Sequence, residues 1–126
     1  MTSGKQPGSS AAHTQLVKDC LEELALMGFA AWPNRTGATE IDGRFIRFGK
    51  KGSGDIIGIY PFVLAGKRYG IHLEVECKTG AATQTKFQKA HMRLVRNSGG
   101  IYIVARSRDE VRAQLEQLGF AAKQPA

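Results

Sequence analysis

One stretch constrains this chain more than any other. In His72-Leu73-Glu74-Val75-Glu76-Cys77-Lys78, every second residue changes character. Side chains on a strand alternate between faces, so Ile71, Leu73, Val75 and Cys77 fall on one side, and His72, Glu74, Glu76 and Lys78 on the other. One face is apolar and belongs against a core. The other lines up two carboxylates, an ammonium and an imidazole, and charges beside a core are costly unless paired or metal-bound. Paired carboxylate oxygens suit a hard divalent cation such as Mg2+, and a lysine just past a metal ligand can hold a phosphate or an attacking water. Ordinary charges on a solvated sheet face would give the same spacing, and spacing alone does not choose between them.

The rest of the chain supplies elements around that strand. Residues 1–11 are small, polar and broken by Gly and Pro, which predicts a mobile tail. From His13 to Met27, apolar Leu16, Val17, Cys20, Leu21, Leu24 and Met27 recur at helical spacing, and Gly28 stops the helix. His13 projects onto the apolar stripe, Glu23 lies at its edge and Glu22 points away. Residues 29–32 read as a short strand stopped by Pro33, and 34–37 as a turn or loop. After a turn at Asp42-Gly43, Arg44-Phe45-Ile46-Arg47-Phe48 alternates basic and apolar residues, which predicts a half-buried strand with a cationic outer face. A flexible basic loop at 49–54 leads into a strand at 55–60. Residues 61–65 read as irregular and 66–68 as a basic turn before the central strand at 69–78. These spacings fit a three-stranded antiparallel meander.

A helix is expected from about residues 83–85, with Phe87, Ala90, His91, Leu94 and Val95 as its apolar face and residues 97–100 as its stop. Residues 101–105 form an apolar, β-branched run expected of a strand buried on both faces. Ser107 stands three before Glu110, the pattern of a capping box, and opens a last helix on Val111, Leu115 and Leu118 that ends at Gly119. Residues 120–126 are left as a C-terminal tail. The fold class is therefore α/β: the meander is extended by a further strand after a crossover helix.

At 126 residues the chain is expected to be one domain. Eighteen Lys plus Arg against eleven Asp plus Glu give a net charge of +7, which favours a polyanionic partner without naming it. Cys20 and Cys77 sit in apolar surroundings and read as reduced packing residues. No Cys/His cluster has zinc spacing, and neither a membrane span nor a signal peptide is expected. The expected location is cytoplasmic.

Asp55 in Gly54-Asp55-Ile56-Ile57-Gly58, Glu76-Cys77-Lys78, Gln88 early in the next helix, and Gly99-Gly100 before an apolar strand together resemble the PD-(D/E)XK nuclease superfamily. More narrowly they resemble the VRR-NUC family, in its small stand-alone form found in phages and bacteria. The similarity spans most of the chain, from His13 to Leu118. It implies a restriction-endonuclease-like core over residues 12–119 with helices on both sides, and a metal-dependent DNA endonuclease using Mg2+ or Mn2+. Asp55, Glu76 and the main-chain carbonyl of Cys77 would bind the metal, and Lys78 would be the catalytic lysine. Gln88 would lie near that lysine or the scissile phosphate. Stand-alone members also imply a homodimer acting on branched DNA, notably four-way junctions.

Two departures stand out. Where family members carry an acidic residue on the first helix, this chain has His13, which either contacts the ion, a bound water or a phosphate, or packs as a neutral core histidine. Ser53-Gly54 precedes Asp55 in place of a proline, at a position that varies within the family. Asn34, Arg35 and Thr36 match the family's Asn/Thr-Gly loop near the substrate. Pro33 stands where arginine is frequent, which passes the phosphate contact to Arg35. Arg44, Arg47, Lys50, Lys51 and Lys86 are the remaining candidates for DNA backbone contacts, although a solvated loop would look the same. Glu74 is expected to pair with Arg44 or Arg47 across the sheet rather than to bind metal, and His72 is a lesser candidate. The competing functions are a nucleic-acid-binding module on the same fold without the chemistry, and a structural subunit holding RNA on its basic face.

Overall fold

The alternating strand lies at the centre of the molecule. The computed structural model describes residues 7–35 and 37–121. In chain order they form α1 (Pro7–Leu26), β1 (Ala30–Pro33), β2 (Gly37–Ile41), β3 (Arg44–Phe48), β4 (Ile56–Leu64), β5 (Lys67–Cys77), α2 (Lys86–Asn97), β6 (Ile101–Ala105) and α3 (Arg108–Gln117). Four strands make a mixed sheet in the order β1-β4-β5-β6. β4 runs antiparallel to β5 with Ile56 opposite Val75, and β6 runs parallel to β5 with Glu74 opposite Tyr102. The architecture is α/β, as the spacing predicts.

The helices divide between the two faces of this sheet. Leu73, Val75 and Cys77 on one face pack with Leu16, Cys20 and Leu24 of α1 and with Val111 and Leu115 of α3. Glu74, on the opposite face, meets His91 of α2. Cys20 and Cys77 are free and buried, with their sulfurs 4.0 Å apart. Their contact and burial push the Cys77 thiol well above its ordinary range, so it stays protonated.

Several expectations are corrected. The third antiparallel strand of the sheet is β1, which pairs with β4 from Ala30 opposite Ile59 to Pro33 opposite Ile56. The basic strand β3 instead pairs with β2, which lies between the loop expected at 34–37 and the turn at Asp42-Gly43, to make a separate two-stranded ribbon. Phe45 is 69% exposed there, so the ribbon is not half-buried. Alternation looks the same in a free hairpin as in a sheet, and only a partner face separates the two. β4 continues through Pro61, in a stretch whose sequence predicts irregular structure. Beyond Ile59 it has lost β1 as a neighbour, so a residue without an N–H is tolerated on that open edge.

Both ends of the domain also differ. α1 begins at Pro7, so residues 7–11 of the expected tail are helical, and residues 1–6 lie outside the described residues. At the other end, Gly119 takes φ +98° and its N–H bonds the Glu116 carbonyl, while the Phe120 N–H returns to the Leu115 carbonyl. This helix stop folds the Phe120 ring back to 5.5 Å from Phe29 and 4.8 Å from Tyr60. Phe120 thus belongs to the core and not to a tail. Among the described residues no helix is long and apolar enough to cross a membrane.

Candidate functional site

The polar face of β5 is roofed, not solvated. α2 starts at an N-cap, Thr85, whose hydroxyl accepts from the Gln88 N–H while the Gln88 side chain accepts from the Thr85 N–H. From there its inner side brings His91 and Val95 down onto the sheet, whereas Phe87 and Leu94, expected in the apolar face, stay 43% and 51% exposed. Under this roof Glu74 keeps 3% of its surface and Glu76 1%. Two carboxylates buried to that degree cannot be ordinary surface charges.

Glu76 and Lys78 form the first cluster. Glu76 Oε1 accepts from the Tyr102 hydroxyl at 2.7 Å and from Gln84 Nε2 at 3.1 Å. Its Oε2 is buried and makes no hydrogen bond among the described residues, and it forms an ion pair with Lys78 Nζ at 3.3 Å. Lys78 Nζ donates to Gln88 Oε1 at 2.9 Å, so the helix cap also seats the lysine. Burial and the bond to Glu76 push the Tyr102 phenol above its ordinary range, which keeps it a donor.

Asp55 stands beside this cluster. Its Oδ2 accepts from the Cys77 N–H at 2.7 Å, one residue past Glu76, and its Oδ1 lies 3.5 Å from His13 Nε2. The His13 side chain is 40% exposed, so it faces Asp55 and solvent instead of packing in the core stripe of α1. Glu23, read at the stripe's edge, is buried and bound by Arg108 at 3.1 Å and Arg112 at 2.6 Å, which ties α1 to α3.

Glu74 is a different kind of carboxylate. It accepts from Ser53 Oγ at 2.8 Å, the Gly54 N–H at 2.9 Å, His72 Nε2 at 2.8 Å and His91 Nε2 at 2.9 Å. Burial alone would raise its pKa; the bonds from His72, Gly54, His91 and Ser53 outweigh burial and hold it at about 2. The expected pairing with Arg44 or Arg47 is overturned, because β3 lies in the separate ribbon.

The loop before Asp55 is fastened, not flexible. Gly52 has φ +88°, and a Cβ there would overlap the Phe87 carbonyl of α2; at Gly54 it would stand 2.8 Å from the Val75 carbonyl. Asn34 clamps the loop from outside, with Nδ2 donating to Ser53 Oγ at 2.8 Å and to the Gly54 carbonyl at 2.9 Å. Its amide is thereby turned onto the protein. Arg35 and Arg44 are exposed. Lys50 Nζ lies 2.9 Å from His91 Nδ1, while Lys51 and Lys86 stand over the Phe87 ring at 3.9 and 5.4 Å from its centroid. Thr36 and the Arg47 side chain lie outside what is described.

The oxygens present suit a hard divalent cation. Glu76 Oε2 accepts no hydrogen bond among the described residues, and Asp55 binds the main-chain N–H of the next residue, Cys77. Among the described residues no three His, Cys, Asp or Glu side chains gather as a cage. Mg2+ is commonly held by only one or two carboxylates with substrate phosphate oxygens completing its shell, so two carboxylates fit. A groove of about 620 Å3 lined by Leu16, Asp19, Lys78, Arg106 and Arg108 adjoins Lys78 but does not include Asp55 or Glu76.

Sequence reasoning missed Tyr102, Gln84 and the role of His91. Tyr102 carried the one usable signal, a single polar tip in an otherwise apolar strand. No family model, no curated protein and no solved structure matches the chain.

Proposed function

We propose that the chain is a metal-dependent endonuclease that hydrolyses DNA phosphodiesters, with Asp55 and Glu76 as the carboxylate ligands and Lys78 as the catalytic lysine. One observation carries the reading: Glu76 Oε2 is buried, accepts no hydrogen bond among the described residues and faces Lys78 Nζ at 3.3 Å. A carboxylate kept for stability has both oxygens bonded, as Glu74 does. Mg2+ or Mn2+ held by Asp55, Glu76 and the Cys77 carbonyl would acidify a water and polarise a phosphoryl oxygen. Lys78, steadied by Gln88, can donate to the charge that develops on a phosphoryl oxygen or orient the attacking water. Tyr102 and Gln84 hold Glu76 by its other oxygen and keep it from rotating away. Arg35, Arg44, Lys51 and Lys86 supply backbone contacts, which position a nucleic acid without reading its bases.

The resemblance to stand-alone VRR-NUC proteins, with a restriction-endonuclease-like core, adds the finer reading. The substrate is branched DNA, notably four-way junctions, and a homodimer cuts two strands symmetrically. A second reading, a nucleic-acid-binding module without the chemistry, is favoured by His13 standing where the resemblance calls for an acidic residue. Labelled four-way junction and linear duplex, incubated with Mg2+ or Mn2+, separate the two. Lys78→Ala and Asp55→Ala should each abolish cleavage and leave binding mostly intact. Product from the wild type that survives both changes sinks the site; no product from the wild type with either metal supports the binder.

A further inference from the structure

Glu74 has no part in the chemistry above, yet it holds the two residues that lead into Asp55. Its Oε1 holds Ser53 and Gly54, immediately before Asp55, and His91 Nε2 lies 2.9 Å from each of its oxygens. On the far side of the ring, His91 Nδ1 lies 2.9 Å from Lys50 Nζ. An ammonium only donates. His91 Nδ1 must therefore accept, which places the ring proton on Nε2 and makes the bond to Glu74 a donated one. The order Lys50 to His91 to Glu74 is thus directional. Lys50 has two further N–H groups, and the residue remains exposed.

We infer that Glu74 and His91 are a positioning pair: from one buried point they set the loop that presents Asp55 and hold the Lys50 ammonium for a backbone phosphate of nucleic acid. The pair deepens the nuclease reading and rests on it for the role of Asp55. Lys50 is otherwise a long, freely rotating side chain, and fixing it in advance removes an ordering cost from binding. Glu74→Gln separates the two duties. A glutamine keeps an oxygen for Ser53, Gly54 and His91 Nε2, so the loop stays anchored, but turns an NH2 toward His72 and removes the negative charge behind the His91 ring.

The test is a binding cycle run without divalent metal, with fluorescence anisotropy of a labelled four-way junction read for Lys50→Ala, His91→Phe and the double variant. Lys50→Ala is expected to weaken binding about 5-fold, as for one lost phosphate contact, and His91→Phe by nearly as much. The double variant should lose no more than either, because both changes remove one interaction. Losses that multiply in the double variant, or binding indifferent to Lys50→Ala, would overturn the coupling. For the loop, Mn2+ alone is titrated by electron paramagnetic resonance: Glu74→Ala should bind it several-fold more weakly, and Glu74→Gln about as well as the wild type. Equal affinity in all three proteins overturns that half. If His91→Phe does not fold, nitrogen-15 correlation spectra of the wild type decide instead: a neutral Nε2–H ring supports the pair and an Nδ1–H ring overturns it. The binding cycle needs no metal, so a wild type that fails to cleave removes the nuclease reading and still returns a result on Lys50 and His91.

Discussion

Glu74 and Glu76 sit two residues apart on one strand, under one helix, and the protein treats them in opposite ways. Around Glu74 the interior is closed: both oxygens accept, from two imidazoles, a hydroxyl and a main-chain N–H. Around Glu76 one oxygen, Oε2, has the Lys78 ammonium at 3.3 Å and no hydrogen bond among the described residues. Burial is the same, at 3% and 1% exposure, so burial does not separate an anchor from a reactive group. Satisfaction does. A saturated carboxylate has nothing left to offer a ligand, whereas Glu76 Oε2, ion-paired with Lys78 but accepting no hydrogen bond among the described residues, keeps lone pairs for a cation.

The largest test of that contrast is Glu76→Gln. It keeps the shape and removes the negative charge, so cleavage should fall by at least about 10^3-fold, while the free energy of unfolding in urea moves by less than about 2 kcal/mol. Cleavage within tenfold of the wild type would mean that the open corner does no chemistry. Glu74→Ala should do the reverse. It strands buried donors from Ser53, Gly54, His72 and His91, and the expected loss is about 4 kcal/mol of stability. A thermal melt unchanged from the wild type would remove the idea of a closed corner.

Acid should reveal the same anchor at a slightly smaller scale. The Glu74 carboxyl titrates at about 2 in the folded protein against 4.5 ordinarily, so folding favours its charged form. That stabilisation is complete above about pH 4.5 and drains away as pH falls towards 2, for a total of about 3 kcal/mol. Glu74→Gln has no such proton to take up. Its stability deficit against the wild type should therefore shrink across that window; a deficit constant from pH 6 to pH 3 would contradict the assignment.

Much of this arrangement could be read from residue order, because it depends on local rules. Parity along 71–78 put Leu73, Val75 and Cys77 into the core and the carboxylates on the other face. Gly28, Gly99 and Gly119 marked three helix ends, and each takes a positive φ there. The meeting of Lys78 with Gln88, at 2.9 Å, is implied by the family resemblance and not by spacing. What could not be read depends on which surfaces meet. Nothing in 72–78 says that α2 covers its polar face, so a saturated Glu74 and an unsaturated Glu76 look alike in sequence. The ribbon of β2 and β3 carries the same alternation as a sheet strand, yet Phe45 is 69% exposed there. Tyr102 reads as core because its neighbours are apolar; its hydroxyl finds Glu76 only once β6 has docked in parallel register beside β5.

Tyr102→Phe is the smallest and sharpest way to probe the open corner. The hydroxyl donates to Glu76 Oε1 at 2.7 Å, and its raised pKa keeps it a donor at any ordinary pH. Its loss leaves Gln84, at 3.1 Å, as the remaining donor on that oxygen. One hydrogen bond to a charged group is worth about 2 kcal/mol, so a small drop in melting temperature is expected whatever the site does. The informative quantity is the metal dependence of cleavage. If Tyr102 only holds Glu76 still, the variant should need several-fold more Mn2+ to reach a maximal rate within about tenfold of the wild type, as when a partner behind a ligand is removed. A collapse of the maximal rate as deep as that of Glu76→Gln, with no change in the Mn2+ requirement, would instead place the Tyr102 hydroxyl among the reacting groups.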